Sequence, residues 1–324
     1  MPYILLLAAF IVFELLYFRI ADHFNIIDKP NERSSHTEIT LRGGGVVFYF
    51  AALVYFVASG FSYPWFFLGL TLMTAVSFAD DLLTLSNKLR LVIHFLSVLL
   101  MAYQLELFAM PWFYLLATFV LVVGVINAYN FMDGINGITA AYSLAVGGLL
   151  MLVNHTVSFI DPDLLSYTML GVLAFAFFNF RKKAKCFAGD VGSVAIAFIL
   201  IFALAQLILY TGNFIYLLFL GIYGVDAVWT IIRRLYLKEN IFQAHRSHLY
   251  QYLANEAGVP KLWVSAIYGI LQFMLGLIVV YVTKFDVSVQ ILFSVVSLLV
   301  LSIAYLLLKT YIIKKHIRSN QQKR

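Results

Sequence analysis

Apolar runs of about 15–22 residues recur along the whole chain, near 3–20, 46–62, 64–79, 90–108, 111–129, 137–153, 164–180, 193–210, 213–230, 262–283 and 288–309. Each is long enough to cross a ~30 Å hydrocarbon core, the short ones with some thinning of the bilayer. Polar and glycine-bearing stretches separate them. Ser62-Tyr63-Pro64 and Met110-Pro111 read as turns between consecutive runs. No period of 20–50 residues repeats, which excludes a solenoid. The pattern predicts an all-α integral membrane protein, one polytopic bundle of about eleven transmembrane helices over residues 1–324. The first run, Tyr3 to Phe18, lacks a basic leader and a small-residue cleavage site, and reads as a retained span.

Composition agrees. The chain is 63% hydrophobic and 12% charged, where soluble domains carry roughly 25% charge. Aromatic residues reach 17%, many at run ends, as interfacial belts require. Cys186 is the single cysteine, so no internal disulfide forms. The net charge of +6 reports topology rather than nucleic acid. With the N-terminus outside, the alternating loops place all 22 Lys and Arg except Lys284 on one side. The positive-inside rule makes that side cytoplasmic, giving N-out and C-in with a basic cytoplasmic tail over 310–324. Most carboxylates pool on the same side, although acidic residues carry little topological weight. A cytoplasmic-facing polar site explains the pooling. Glu14, in the middle of the first run, is the exception.

Five stretches carry candidate chemistry. Asn127-Ala-Tyr-Asn130-Phe-Met-Asp133-Gly134-Ile-Asn136-Gly137 sits between two apolar runs. Read as continuous helix, Asn127, Asn130, Asp133, Gly134 and Gly137 share about a third of the circumference. Loop one carries Arg33 and Arg42 and ends in Gly43-Gly44-Gly45, whose amides at a helix start suit a phosphate. Asp80-Asp81 close the third run and read as a magnesium or proton-handling pair near phosphate; on a continued helix Asp81 and Lys88 share a face. Gly189-Asp190-Val-Gly192-Ser193 follows Arg181, Lys182, Lys183 and Lys185. Ser193 or Asp190 can cap the eighth span, and Asp190 suits magnesium, which takes one or two carboxylates and leaves the rest of its shell to water and phosphate. In the longest polar segment, His245 and His248 share a face if it is helical, and with Arg246 they can grip a diphosphate. A zinc pair would need a third ligand.

These motifs, in this order at the ends of successive spans, resemble the polyprenyl-phosphate N-acetylhexosamine-1-phosphate transferases (glycosyltransferase family 4), over about residues 28–255. Loop one, Arg246 and the span count are most similar to the branch that initiates O-antigen and capsule chains; phospho-N-acetylmuramoyl-pentapeptide transferase is a relative. The resemblance implies transfer of a sugar-1-phosphate from a UDP-N-acetylhexosamine to undecaprenyl phosphate, at the cytoplasmic face of the bacterial inner membrane, with release of UMP. It implies a magnesium requirement, with manganese as substitute, and is compatible with a homodimer. It implies catalytic roles for Asp80, Asp81, Asp133, His245 and His248. Asn127, Asn130, Asn136, Arg246, Lys88, Arg33 and Arg42 would bind substrate, and Asp190 and Asp81 would hold metal. Two positions depart from the family pattern: Thr84 stands where an acid or Lys is frequent, and Asn136 where Asp is usual. The chemistry favours direct attack by the lipid phosphate, oriented by Asp80 or Asp81, over an aspartyl intermediate.

Two other classes compete. A multi-span transporter would place its polar residues near the midplane, often between inverted repeats, and only Glu14 leans that way. A CDP-alcohol phosphotransferase needs an Ala-Arg pair and further aspartates after Asp133-Gly134, which are missing.

Overall fold

The computed structural model describes residues 2–30, 35, 38–83, 85–240 and 245–318, without the side chains of Asn87, Ile317 and Arg318. It is nearly all helical. In order come α1 (Tyr3–His23), α2 (Val46–Ala58), α3 (Pro64–Leu83), α4 (Asn87–Gln104), α5 (Trp112–Met132), α6 (Ile138–Val157), α7 (Pro162–Asn179) and α8 (Gly189–Thr211). A 3-10 stretch, Phe214–Leu220, leads into α9 (Gly221–Tyr236). The single turn α10 (Leu249–Gln251), α11 (Lys261–Val282) and α12 (Val287–Ile312) complete the chain. The only sheet among the described residues is a two-residue antiparallel pair, β1 (Ile27–Asp28) with β2 (Thr40–Leu41).

Ten of the eleven apolar runs each fall mainly on one of these helices, and the run 213–230 is divided between the 3-10 stretch and α9. Among the described residues, eight helical segments are long and apolar enough to cross a membrane by themselves; α2 is a shorter apolar helix. The 18-residue α4 carries Lys88 and Arg90 in its first turn, and α7 carries polar residues at both ends. Both proline turns are present: α3 starts at Pro64 and α5 directly after Pro111.

Helix α8 is the hub. Of its most apolar window 89% is buried, against 6% for α12. Helices α2, α3, α5 and α6 pack on it. Between helices in lipid, association comes from close packing rather than from loss of apolar surface to water, so small residues decide who meets whom. Gly45, just before α2, and Gly192, in the first turn of α8, touch backbone to backbone. A Cβ on either would collide with the other's Cα. That contact brings the residues flanking the two helix starts together. Strand-like bonds extend it: Phe187 N–H donates to the Leu41 carbonyl at 2.8 Å, Gly44 N–H to Phe187 at 2.9 Å and Gly45 N–H to Ala188 at 3.2 Å. The amides of Gly44 and Gly45 are therefore engaged by the chain itself, which corrects their reading as a phosphate cradle. Glu14 is fully buried in α1, and neither of its carboxyl oxygens has a partner among the described residues.

Candidate active site

Two helix ends supply the acids. Asp80 and Asp81 lie in the last turn of α3 and Asp190 in the first turn of α8. Arg42 Nη2 bridges Asp81 (2.7 Å) and Asp190 (3.3 Å). Arg90, from the first turn of α4, bridges Asp80 (2.7 Å) and Asp190 (3.7 Å). The Asp190 carboxylate thus has one guanidinium at each oxygen. Asp81, fully buried, also accepts the backbone N–H groups of Asp190 (3.3 Å) and Val191 (3.2 Å). Asp80 Oδ1 accepts the Leu85 N–H at 2.7 Å and closes the α3–α4 turn.

That turn corrects one expectation. The helix does not continue from Asp81 to Lys88: α3 stops at Leu83, and Ser86 caps α4 by accepting the Leu89 N–H. Lys88 is exposed, and Arg90 takes the place beside the acids. Asp190 and Ser193 do not cap α8 either. The helix begins at Gly189 with no side-chain cap, and the Ser193 hydroxyl donates back to the Gly189 carbonyl. Asp190 is left with its carboxylate turned to the two arginines.

The Asn127–Gly137 stretch is also not one helix. Helix α5 ends at Met132, and α6 begins after Gly137, whose φ of +84° is left-handed and breaks the helical path. Asp133 therefore sits in the connecting loop, accepting the Thr139 hydroxyl at 2.6 Å. Burial pushes its carboxyl up to about 7; the Thr139 bond opposes that, and the nearby charges of Asp190 and Asp81 add to it. Asn130 is half-buried and Asn127 exposed on α5. Asn136 is buried and its amide donates to the Arg181 (2.8 Å) and Lys182 (3.1 Å) carbonyls, so it braces the loop before α8. Arg33 and Thr84 lie outside the described residues.

The histidines form a second cluster beside the first. They do not share a helical face, because 245–247 are not helical and α10 begins only at Leu249. Their rings nonetheless lie 5.0 Å apart, both against Phe131 at the end of α5. His245 Nδ1 is 2.9 Å from the Ser247 hydroxyl. Burial, with His248, Arg234 and Lys309 adding, drives the His245 pKa down to about 4, so near neutral pH this ring is not a cationic grip. Arg246 pairs with Glu256 at 3.5 Å.

His248 is oriented by a residue the motif reading passed over. Its Nδ1 lies 3.2 Å from Asp226 Oδ1, a buried carboxylate that also accepts Leu249 N–H (3.0 Å), Tyr250 N–H (3.4 Å) and Tyr268 O–H (2.8 Å). An acid inside an apolar run, as Asp226 is, was the available signal. Tyr250 joins the two clusters: its hydroxyl donates to the Phe131 carbonyl at 2.9 Å, and Gly134 has no side chain to displace it.

Beside this end of α5 runs a cavity of about 860 Å³ between α5, α9 and α12. Its walls are mainly aliphatic and aromatic, with Asn127, Arg234 and His245 among the polar exceptions. Among the described residues no three His, Cys, Asp or Glu side chains converge as a complete metal shell. The acidic cluster instead suits a hard cation held by one or two carboxylates and completed by substrate phosphate and water. Guanidiniums already lying on these carboxylates show that the site accepts positive charge. The arrangement as a whole can gather two phosphates, neutralise them and leave one flank open to an apolar chain.

The model of glycosyl transferase family 4 matches residues 63–208, which hold Asp80, Asp81, Asp133 and Asp190. The chain is 27% identical over 259 residues to a probable undecaprenyl-phosphate N-acetylglucosaminyl 1-phosphate transferase of Bacillus subtilis, covering 72% of this chain and 71% of that one. It is 26% identical over 268 residues to an undecaprenyl-phosphate alpha-N-acetylglucosaminyl 1-phosphate transferase of Thermotoga maritima, 78% of this chain and 81% of that one. A phospho-N-acetylmuramoyl-pentapeptide-transferase of Halalkalibacterium halodurans is 35% identical over 86 residues, 26% of each chain.

Proposed function

We propose that this chain belongs to glycosyl transferase family 4, whose model matches residues 63–208, and transfers a sugar-1-phosphate from a UDP-N-acetylhexosamine to undecaprenyl phosphate. A phosphate oxygen of the lipid attacks the sugar-bearing phosphorus, the bond to the UMP oxygen breaks, and polyprenyl-diphosphate-sugar and UMP leave. The observation that carries the reading is the convergence of Asp81 and Asp190 with Arg42 and Arg90 next to Asp133, all at one end of the bundle. A transporter would gather such groups at mid-depth.

Both reactants are anions, so bringing them together is the main difficulty. Arg42 and Arg90 can exchange a carboxylate for a phosphate oxygen and offset that repulsion. Asp81 and Asp190 are the residues that would hold magnesium, which would supply charge neutralisation on the phosphates. Asp80, fixed by Arg90 and the Leu85 N–H, is placed to orient the acceptor. Asp133 stays half-buried and, carrying a proton below about pH 7, can donate to the nucleotide. The apolar cavity lined by α5, α9 and α12 suits a stretch of the polyprenyl tail. The basic loops support a reading with this end on the cytoplasmic side of an eleven-span, N-out, C-in chain in the bacterial inner membrane.

The test is UMP release by the purified chain in lipid nanodiscs, with undecaprenyl phosphate, magnesium and a panel of UDP-sugars. Labelled lipid product with at least one UDP-N-acetylhexosamine is expected. No product with any of them refutes the reading.

A further inference from the structure

Helix α12 faces outward over most of its length, and its buried residues are only Gln290, Tyr305, Lys309 and Ile312. Lys309 is 3% exposed. A buried ammonium is costly unless it is bonded and offset. Its Nζ donates to the Tyr305 hydroxyl and lies 3.3 Å from Thr230 Oγ1. The Tyr305 and Thr230 hydroxyls are 2.9 Å apart, and Thr230 Oγ1 is 3.3 Å from Asp226 Oδ1. An ammonium can only donate and an ionised carboxylate can only accept. The arrangement in which every proton points one way runs from Lys309 through Tyr305 and Thr230 to Asp226, the nearer of the two acceptors of the Thr230 hydroxyl, the other being the Ser247 carbonyl at 3.5 Å. Aligned chains of this kind polarise and stiffen one another.

The carboxylate at the end of the chain is the one that holds His248 Nδ1. On the ring that this carboxylate holds, His248 Nε2 is buried with no partner among the described residues. A buried polar atom left unmet marks a place where a ligand is expected.

We propose that Lys309, Tyr305 and Thr230 are positioning residues which, through Asp226, lock the His248 ring with its proton on Nδ1 and its Nε2 lone pair presented to a hydroxyl or amide N–H of the bound donor sugar. The inference rests on the transfer reading and deepens it. It changes what His248 does: an acceptor recognises a donor group, not a phosphate anion. It also gives the last span a task in the reaction, although that helix contributes nothing to the acidic cluster.

The test uses the full chain in nanodiscs with ¹⁵N-imidazole histidine, the His248 signals being identified by their loss in His248→Gln. In the wild type, the Nδ1-protonated form is expected, with Nε2 bare. Lys309→Met should produce a mixture of tautomers and lower kcat about ten-fold, the size usual for the loss of an outer-shell partner, with KM for the acceptor unchanged. Tyr305→Phe keeps the ring volume and should act in the same direction, about three-fold, and it stands in if Lys309→Met does not fold. Wild-type spectra and kcat in the folded variants, or a wild-type ring protonated on Nε2, overturn the proposal. Absence of UMP release from the wild type itself strikes the transfer reading instead, and the spectra still decide the relay.

Discussion

The acidic cluster and the imidazole cluster lie on either side of the end of α5, yet they are built on opposite principles. In the first, the arginines and Asp190 keep part of their surface, with side-chain exposures of 34%, 30% and 22% for Arg42, Arg90 and Asp190. Each charge has more than one partner, and the partners are long and mobile. In the second, His248 and Asp226 are 1% and 2% exposed, and the carboxylate is held by short groups from α9, α10 and α11. Open ion pairs add little stability and are easily exchanged. Removing one partner of a closed pair strands a buried charge. The first cluster is suited to trading partners with incoming phosphates, the second to keeping one geometry.

Substitutions should separate the two. The largest effect on catalysis is expected for Asp190→Asn, which removes the charge shared by both arginines: kcat should fall by about 10³ or more, with thermal stability within about 1 kcal/mol of wild type. Asp226→Ala should do the reverse in kind, costing about 3–5 kcal/mol of stability because His248 loses its acceptor and the buried Lys309 loses a nearby counter-charge. Equal losses of stability in the two variants would erase the distinction. His248→Ala should lower turnover about 10²-fold and, because it takes a partner from the buried Asp226 carboxylate, should also lower stability in the same direction as Asp226→Ala.

A pH series sharpens the picture further. The His245 pKa is depressed in the folded chain, so the unfolded chain binds more protons between about pH 4 and 6.5. Its contribution is complete above the unfolded value and is lost as pH falls through about 4. His245→Gln should therefore flatten the acid-side fall of melting temperature, by an amount on the order of a few degrees. The smallest effect is expected from Lys88→Ala, an exposed change within about 0.5 kcal/mol in stability and with kcat intact.

How much of this was legible in the sequence follows from the same contrast. Helix-length apolar runs specify helices, and each run lies on helical structure, because a backbone in lipid must satisfy its own hydrogen bonds. The acids at helix ends stood out because ionised groups are rare in such company. What sequence periodicity could not give is where helices break. Gly137 in a left-handed conformation and the Ser86 cap each ended a face that had been read straight through, which moved Asp133 into a loop and substituted Arg90 for Lys88. Nor could it give partners far apart in the chain. Asp226, Thr230, Tyr305 and Lys309 each look like isolated polar residues in an apolar helix, and only packing of α9 against α12 makes them one network. Arg42 was marked for its charge, but its bridge between Asp81 and Asp190 depends on two glycines meeting across α2 and α8.

The most direct test of the central claim compares UMP release from a UDP-N-acetylhexosamine by wild type and Asp190→Asn, in the same nanodiscs, with undecaprenyl phosphate and magnesium. Release by the wild type, with a loss of about 10³-fold or more in a variant that melts like it, is the predicted result. A folded Asp190→Asn chain that releases UMP at the wild-type rate would contradict the account.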